Sequence, residues 1–144
     1  MKYRDYLYGA YGSNLNLRQM KVRCPQAVPV GTVTVNGLRL VFRGVADVEF
    51  TADHSVPLGL WKITEQCEAA LDLYEGYPRM YGKQTIGIKG LQSALGAKNV
   101  LIYTMNSTDI YPPCMSYLSA INEGYKDFDL DVEALQYAIK DSYA

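Results

Sequence analysis

One carboxylate in this sequence stands where its proton affinity should be unusual. Glu75 closes the run Leu71-Asp72-Leu73-Tyr74-Glu75-Gly76-Tyr77-Pro78. Cys67, Leu71 and Tyr74 recur at i, i+4 and i+7, the spacing of one helix face. Glu75, four residues after Leu71 and eight after Cys67, continues that face inward. Gly76 follows where helices commonly end in the left-handed conformation. A carboxylate drawn toward a core and set at the negative end of a helix is disfavoured twice in its charged form. Its pKa should therefore rise toward neutrality, as general acid–base chemistry near pH 7 requires. The alternative is a side chain turned outward, solvated or paired with Arg79.

A second stretch, Tyr6-Leu7-Tyr8-Gly9-Ala10-Tyr11-Gly12-Ser13-Asn14-Leu15-Asn16, begins as an apolar β-prone run and breaks at Gly12-Ser13-Asn14. Asn16 is a good helix N-cap, with Gln19 three residues on. Strand, tight turn and helix in this order can aim several backbone N–H groups at one point, an anion site made of main chain alone. The alternative is a turn that only turns.

Other groups carry less. Asp72 could pair with Glu75 but lies between two leucines and is expected to face solvent. His54, the single histidine, sits in a polar segment with no patterned partner. Cys24, Cys67 and Cys114 are widely spaced and odd in number, which fits reduced thiols in a cytoplasm and no zinc site. Cys67 and Cys114 fall on apolar helical stripes and are expected in the core. Thirteen tyrosines against three phenylalanines permit a pocket lined by phenols. A net charge of −1 gives no case for nucleic acid. No apolar run approaches the ~20 residues of a membrane span, and the polar N-terminus does not read as a signal peptide.

These candidates need elements to hold them, and 144 residues suffice for a single domain, 1–144, with a real core. Tyr6–Tyr11 reads as a central strand and Asn16 to Arg23 as a short helix stopped by Cys24-Pro25. Val28–Val35 and Leu38–Phe42 alternate on either side of Asn36-Gly37, a strong hairpin signal. Val45–Thr51 and Pro57–Ile63 are further strands around a loop at His54. Thr64 caps the helix that carries Glu75. Tyr81–Lys89 and Asn99–Met105 are strands, with a short helical turn near Leu91 to Leu95 between them. Cys114, Tyr117, Leu118 and Ile121 form a helical stripe that Gly124 should end. A last helix, capped by Asp131, places Val132, Leu135 and Ile139 on one face. Six or seven strands with three or four short helices, several hairpins adjacent, predict an α+β fold with a mixed sheet, curled into a small barrel.

Tyr11-Gly12-Ser13-Asn14-Leu15 and Glu75-Gly76 together, in this order, resemble the γ-glutamylcyclotransferase (AIG2-like) family, which has a Tyr-Gly-Ser-Asn-Leu turn after its first strand and a Glu-Gly pair at the end of a later helix. The likeness runs over most of the chain. Gly59-Leu60-Trp61-Lys62-Ile63 resembles the strand before the catalytic helix, and Tyr81, Tyr103, Pro112-Pro113 and Tyr117 resemble later family positions. Cys114 stands where the family often has serine. The resemblance implies a small mixed β-barrel flanked by short helices and a reaction without metal or cofactor. In that reaction the α-amine of a γ-glutamyl compound attacks its own γ-carbonyl, releasing 5-oxoproline. Glu75 would be the general acid/base. The amides of Gly12 to Leu15 would hold the substrate carboxylate or oxyanion, and Tyr81, Tyr103 and Tyr117 would donate hydrogen bonds or shape the pocket. The expected partner is a small-molecule substrate, with the protein a monomer or homodimer. A non-catalytic metabolite-binding module on the same fold is the alternative.

Overall fold

Residues 2–88 and 97–144 are described by the computed structural model of the chain. The helical turn expected near Leu91 to Leu95 lies outside the described residues. The order is β1 (Tyr3–Ala10), a 3-10 turn (Ser13–Leu15), α1 (Leu17–Arg23), β2 (Val28–Phe42), β3 (Ala46–Thr64) and α2 (Glu65–Glu75), then β4 (Tyr81–Gly87), β5 (Asn99–Met105), α3 (Met115–Asp127) and α4 (Glu133–Ser142). The strands form one sheet in the order β2-β3-β1-β5-β4. β1 runs parallel to β5, with Leu7 opposite Val100 and Tyr8 opposite Leu101. The other pairings between these strands are antiparallel. In β1 four exposed or half-buried residues, Tyr3 to Tyr6, give way to four consecutive buried ones, Leu7 to Ala10, as expected of a strand whose second half is covered on both faces.

The α+β class and mixed sheet are as expected; the barrel is not. The sheet is open, with β2 and β4 as its two edges. The reason lies at Asn36-Gly37. That pair does not reverse the chain. Gly37 has φ 83° inside one continuous β2 of 15 residues. The register jumps there, from Asn36 opposite Ser55 to Leu38 opposite Phe50. The skipped residues on β3 include Asp53, itself at φ 66°, so the segment around His54 is a bulge within β3 rather than a loop between strands. The real reversal is Arg43-Gly44-Val45, where the Arg43 amide donates to the Val45 carbonyl at 2.8 Å. Two expected strand pairs thus merge into one long ribbon. The described residues hold five strands, and β2 and β4 do not meet.

Local signals set the helices. The Asn16 side chain accepts from the Gln19 amide at 3.0 Å and starts α1. Thr64 accepts from the Cys67 amide at 3.2 Å and starts α2. Gly76, at φ 68°, ends α2 in the left-handed conformation, as its position predicts. Gly124 does something else. It lies inside α3, and a Cβ there would stand 2.6 Å from Leu15 Cβ and 2.8 Å from the Asn16 amide nitrogen. Its role is close approach of α3 to the 3-10 turn, not helix termination. Cys114 is likewise not core. It is the exposed residue before α3, whereas Cys67 is buried as expected. In α4 the buried face carries Leu135 and Ala138, while Val132 is exposed.

Candidate active site

The Gly-Ser-Asn break follows directly from the end of β1. Gly12 is closely enclosed: a Cβ there would come 3.0 Å from Ala46 Cβ and 3.1 Å from the Tyr117 hydroxyl, so both would have to give way to a larger residue. In the 3-10 turn the Leu15 amide donates back to the Gly12 carbonyl at 3.0 Å. The Ser13 and Asn14 amides come first in the turn and have no partner within it. Gly12, Ser13 and Asn14 line a cavity of about 240 Å³ together with Glu75. The rest of the wall is Tyr8, Tyr11, Tyr81, Tyr103 and Tyr117, with Val45, Ala46, Tyr74 and Met80.

Glu75 is half-buried, and one of its carboxylate oxygens accepts from Asn14 Nδ2 at 3.3 Å. Burial pushes its pKa up to about 7; the Arg23 guanidinium pulls it down, and the Asp47 carboxylate adds to the rise. The two stretches singled out in the sequence therefore share one cavity and touch. Asp72 and Glu75 do not pair. Asp72 turns away, accepting from the Tyr103 hydroxyl at 2.7 Å and sitting 2.7 Å from the Lys83 ammonium, so it does not simply face solvent.

The phenols are held by the protein itself. Tyr11 donates to the Tyr103 carbonyl at 2.7 Å. Tyr81 donates to the Ala46 carbonyl at 2.8 Å. Tyr103 is committed to Asp72. Tyr117 accepts from the Ala46 amide at 3.0 Å, which leaves its own proton uncommitted by that bond. Burial raises the pKa of all four, so each stays a neutral phenol at physiological pH. Of the residues singled out in the sequence, Tyr11, Gly12, Ser13, Asn14, Glu75, Tyr81, Tyr103 and Tyr117 meet at the cavity. Leu15 does not. Its side chain is fully buried against Gly59 and Gly124, and its amide is spent within the turn.

Sequence reasoning missed Tyr8, Tyr74, Val45, Ala46 and Met80. Tyr8 accepts from Asn14 Nδ2 at 2.9 Å. A tyrosine buried in a central strand needs a partner for its hydroxyl, which was a usable signal. Tyr74 precedes Glu75, and its hydroxyl lies 2.9 Å from Ser13 Oγ. Val45 and Ala46 depend on where the β2–β3 reversal falls, which was misplaced. Cys114 and His54 are not part of this wall. The His54 ring lies 5.8 Å from that of Tyr137. Among the described residues no cluster of His, Cys, Asp and Glu could hold a metal ion, and no helix is long and apolar enough to cross a membrane.

Comparison with known proteins gives a consistent assignment. The sequence model of the family "Gamma-glutamyl cyclotransferase, AIG2-like" matches residues 8–124. No curated protein gives a significant match. Among solved structures, one titled "Gamma-glutamyl cyclotransferase" superposes with a TM-score of 0.76 at 23% identity, covering 96% of this chain and 86% of that one. An uncharacterized protein from Homo sapiens gives a TM-score of 0.77 at 24% identity, covering 94% of this chain and 86% of that one. An AIG2-like protein from Mus musculus gives 0.57 at 20% identity, covering 78% and 82%. At these identities the neighbours establish the shared fold, and the family match spans both the glycine-serine-asparagine turn and Glu75-Gly76. The chain belongs to the AIG2-like γ-glutamyl cyclotransferase family.

Proposed function

We propose that the protein is a cyclotransferase that releases 5-oxoproline from a γ-glutamyl compound, with Glu75 as general acid/base. The observation that carries this reading is the Glu75 carboxylate, poised near neutrality in a cavity it shares with the Gly12-Ser13-Asn14 turn. At about 240 Å³ the cavity falls below the ~300–1,000 Å³ typical of sites for drug-sized ligands, which suits one glutamyl group with its leaving group outside.

The chemistry follows from these parts. A γ-glutamyl group bent into the cavity brings its α-amine onto its own γ-carbonyl. The attack is intramolecular, so much of the barrier is a matter of ordering, which a close-fitting wall of buried phenols supplies. The carboxylate of Glu75 takes the proton that the attacking amine must lose. The resulting carboxylic acid returns it to the leaving nitrogen as the γ C–N bond breaks. Proton count and charge balance without a cofactor. The Ser13 and Asn14 amides are the donors available for the substrate carboxylate or the developing oxyanion. Tyr11, Tyr81 and Tyr103 act as walls, since their hydroxyl protons are spent on the protein, while Tyr8 and Tyr117 have protons to offer.

The test is a panel of γ-glutamyl amino acids, peptides and amines scored for 5-oxoproline by mass. Glu75→Gln should lose about 10²- to 10⁴-fold in kcat, the usual worth of a general acid–base group, while still binding a γ-glutamyl ligand by calorimetry. Full turnover in that variant defeats the mechanism. Binding without product in the wild type identifies a metabolite-binding module instead.

A further inference from the structure

Arg23 ends α1 and stands behind the cavity wall. Its guanidinium carbon lies 3.5 Å from the centroid of the Tyr74 ring. One nitrogen donates to Asn14 Oδ1, and the other reaches Gln19 Oε1 at 3.4 Å. Arginine offers donors and no acceptor. The Asn14 atom that faces it must therefore be the carbonyl oxygen, which turns the NH2 group to the opposite side. There the NH2 donates to the Tyr8 hydroxyl at 2.9 Å and to Glu75 at 3.3 Å. With the amide reversed, Glu75 and Tyr8 would face a carbonyl oxygen, and the carboxylate would meet a lone pair in place of a donor.

We propose that Arg23 is a positioning residue of the Glu75 site: held on the Tyr74 ring, it fixes which way the Asn14 amide points and so which group Glu75 faces. The assignment rests on Glu75 being the group that moves the proton. Arg23 touches neither Glu75 nor the cavity; it acts through Asn14 and through its charge. The other groups that bear on Glu75 are Asp47 from β3, Tyr8 and Tyr11 at the end of β1, Tyr81 from β4 and Tyr117 from α3. The phenols stay neutral, so the charges that bear on Glu75 are the Asp47 carboxylate, which raises its proton affinity, and the Arg23 guanidinium, which opposes it.

The experiment is a carbon-13 NMR titration of the Glu75 carboxyl, run beside steady-state kinetics, in the wild type, Arg23→Met and Arg23→Lys. Met keeps the length of the side chain and removes both charge and donors. In Arg23→Met the Glu75 midpoint should move to higher pH. The kcat for 5-oxoproline release should fall roughly tenfold or more, with KM changed less than about threefold, the pattern of a contact that matters in the transition state. Lys restores the charge without the planar fork. It should return the midpoint to near wild type and recover kcat only in part. An unmoved Glu75 midpoint in Arg23→Met overturns the proposal, as does a lower melting temperature with midpoint and kcat both retained. If the wild type makes no 5-oxoproline, the proposed reaction falls, and the titration still decides the hold of Arg23 on Glu75.

Discussion

A carboxylate held near pH 7 leaves a mark on stability as well as on rate. Burial raises the pKa of Glu75 from 4.5 to about 7, so between those values the folded protein binds a proton that the unfolded chain has released. Stability therefore falls as pH rises through this window and levels off above it. A rise of that size corresponds to roughly 3 kcal/mol, reduced in practice by the part of Glu75 open to the cavity. Glu75→Gln should accordingly be more stable than wild type by about 1–3 kcal/mol at pH 8 and equal to it at pH 4, measured by urea denaturation. Equal stability at both pH values would mean that the carboxylate is not strained. The rate should show the opposite sign. In the proposed reaction the carboxylate is the form that takes the amine proton, so kcat/KM should climb with pH through about 7. Glu75 was legible because helix period and the Gly76 stop both act locally. Arg23 was not, because what makes it matter is contact with Asn14, a product of the tertiary structure; Tyr8 was legible only as a buried hydroxyl in need of a partner, not as a neighbour of Asn14.

Between elements, the decisive contact is α3 against the 3-10 turn. Gly124 lets the helix backbone lie on Leu15 and Asn16, and Asn16 fastens the contact by donating to the Ala120 carbonyl at 3.1 Å. Alanine is favoured over glycine within a helix by about 1 kcal/mol. Here that gain loses to sterics, because the atoms its Cβ would meet, at 2.7 and 2.8 Å, are backbone and cannot rotate away. Overpacking of this kind costs roughly 1–3 kcal/mol. Gly124→Ala should lower stability by about 1–2 kcal/mol and reduce turnover by displacing the Ser13-Asn14 turn. A variant more stable than wild type in thermal melts would show that α3 is free to move aside. The same contact explains a misreading, since a glycine near a helix end looks alike whether it ends the helix or admits a neighbour. The Asn36-Gly37 pair misled for a related reason. Its left-handed glycine suits a hairpin turn and a bulge equally, and only the partner strand decides which. The Arg43-Gly44-Val45 reversal carries a weaker local signal yet closes the ribbon, and with it fixes Val45 and Ala46 at the cavity.

Over the whole molecule, the cavity is spread across nearly the same sequence as the family match. Its wall runs from Tyr8 to Tyr117 and draws on β1, the 3-10 turn, the β2–β3 reversal, α2, β4, β5 and α3. No single supersecondary unit contains it. A ligand held there has no counterpart site in a partly folded chain, so its binding energy should appear in the global unfolding equilibrium rather than in one local step. A non-cleavable γ-glutamyl ligand at a hundred times its Kd should add ~2.7 kcal/mol. For a domain of this size that is about 5–10 °C in Tm. Calorimetry should show one transition that moves as a whole. If the site were only the glycine-serine-asparagine turn, the ligand would protect that segment, and hydrogen exchange would slow at residues 12–16 alone. Protection should instead extend to the amides of Ala46, which holds Tyr117, and of Met105, which donates to the buried Asp47 carboxylate at 2.9 Å. Protection confined to the turn would return that stretch to a simple anion loop and separate it from Glu75.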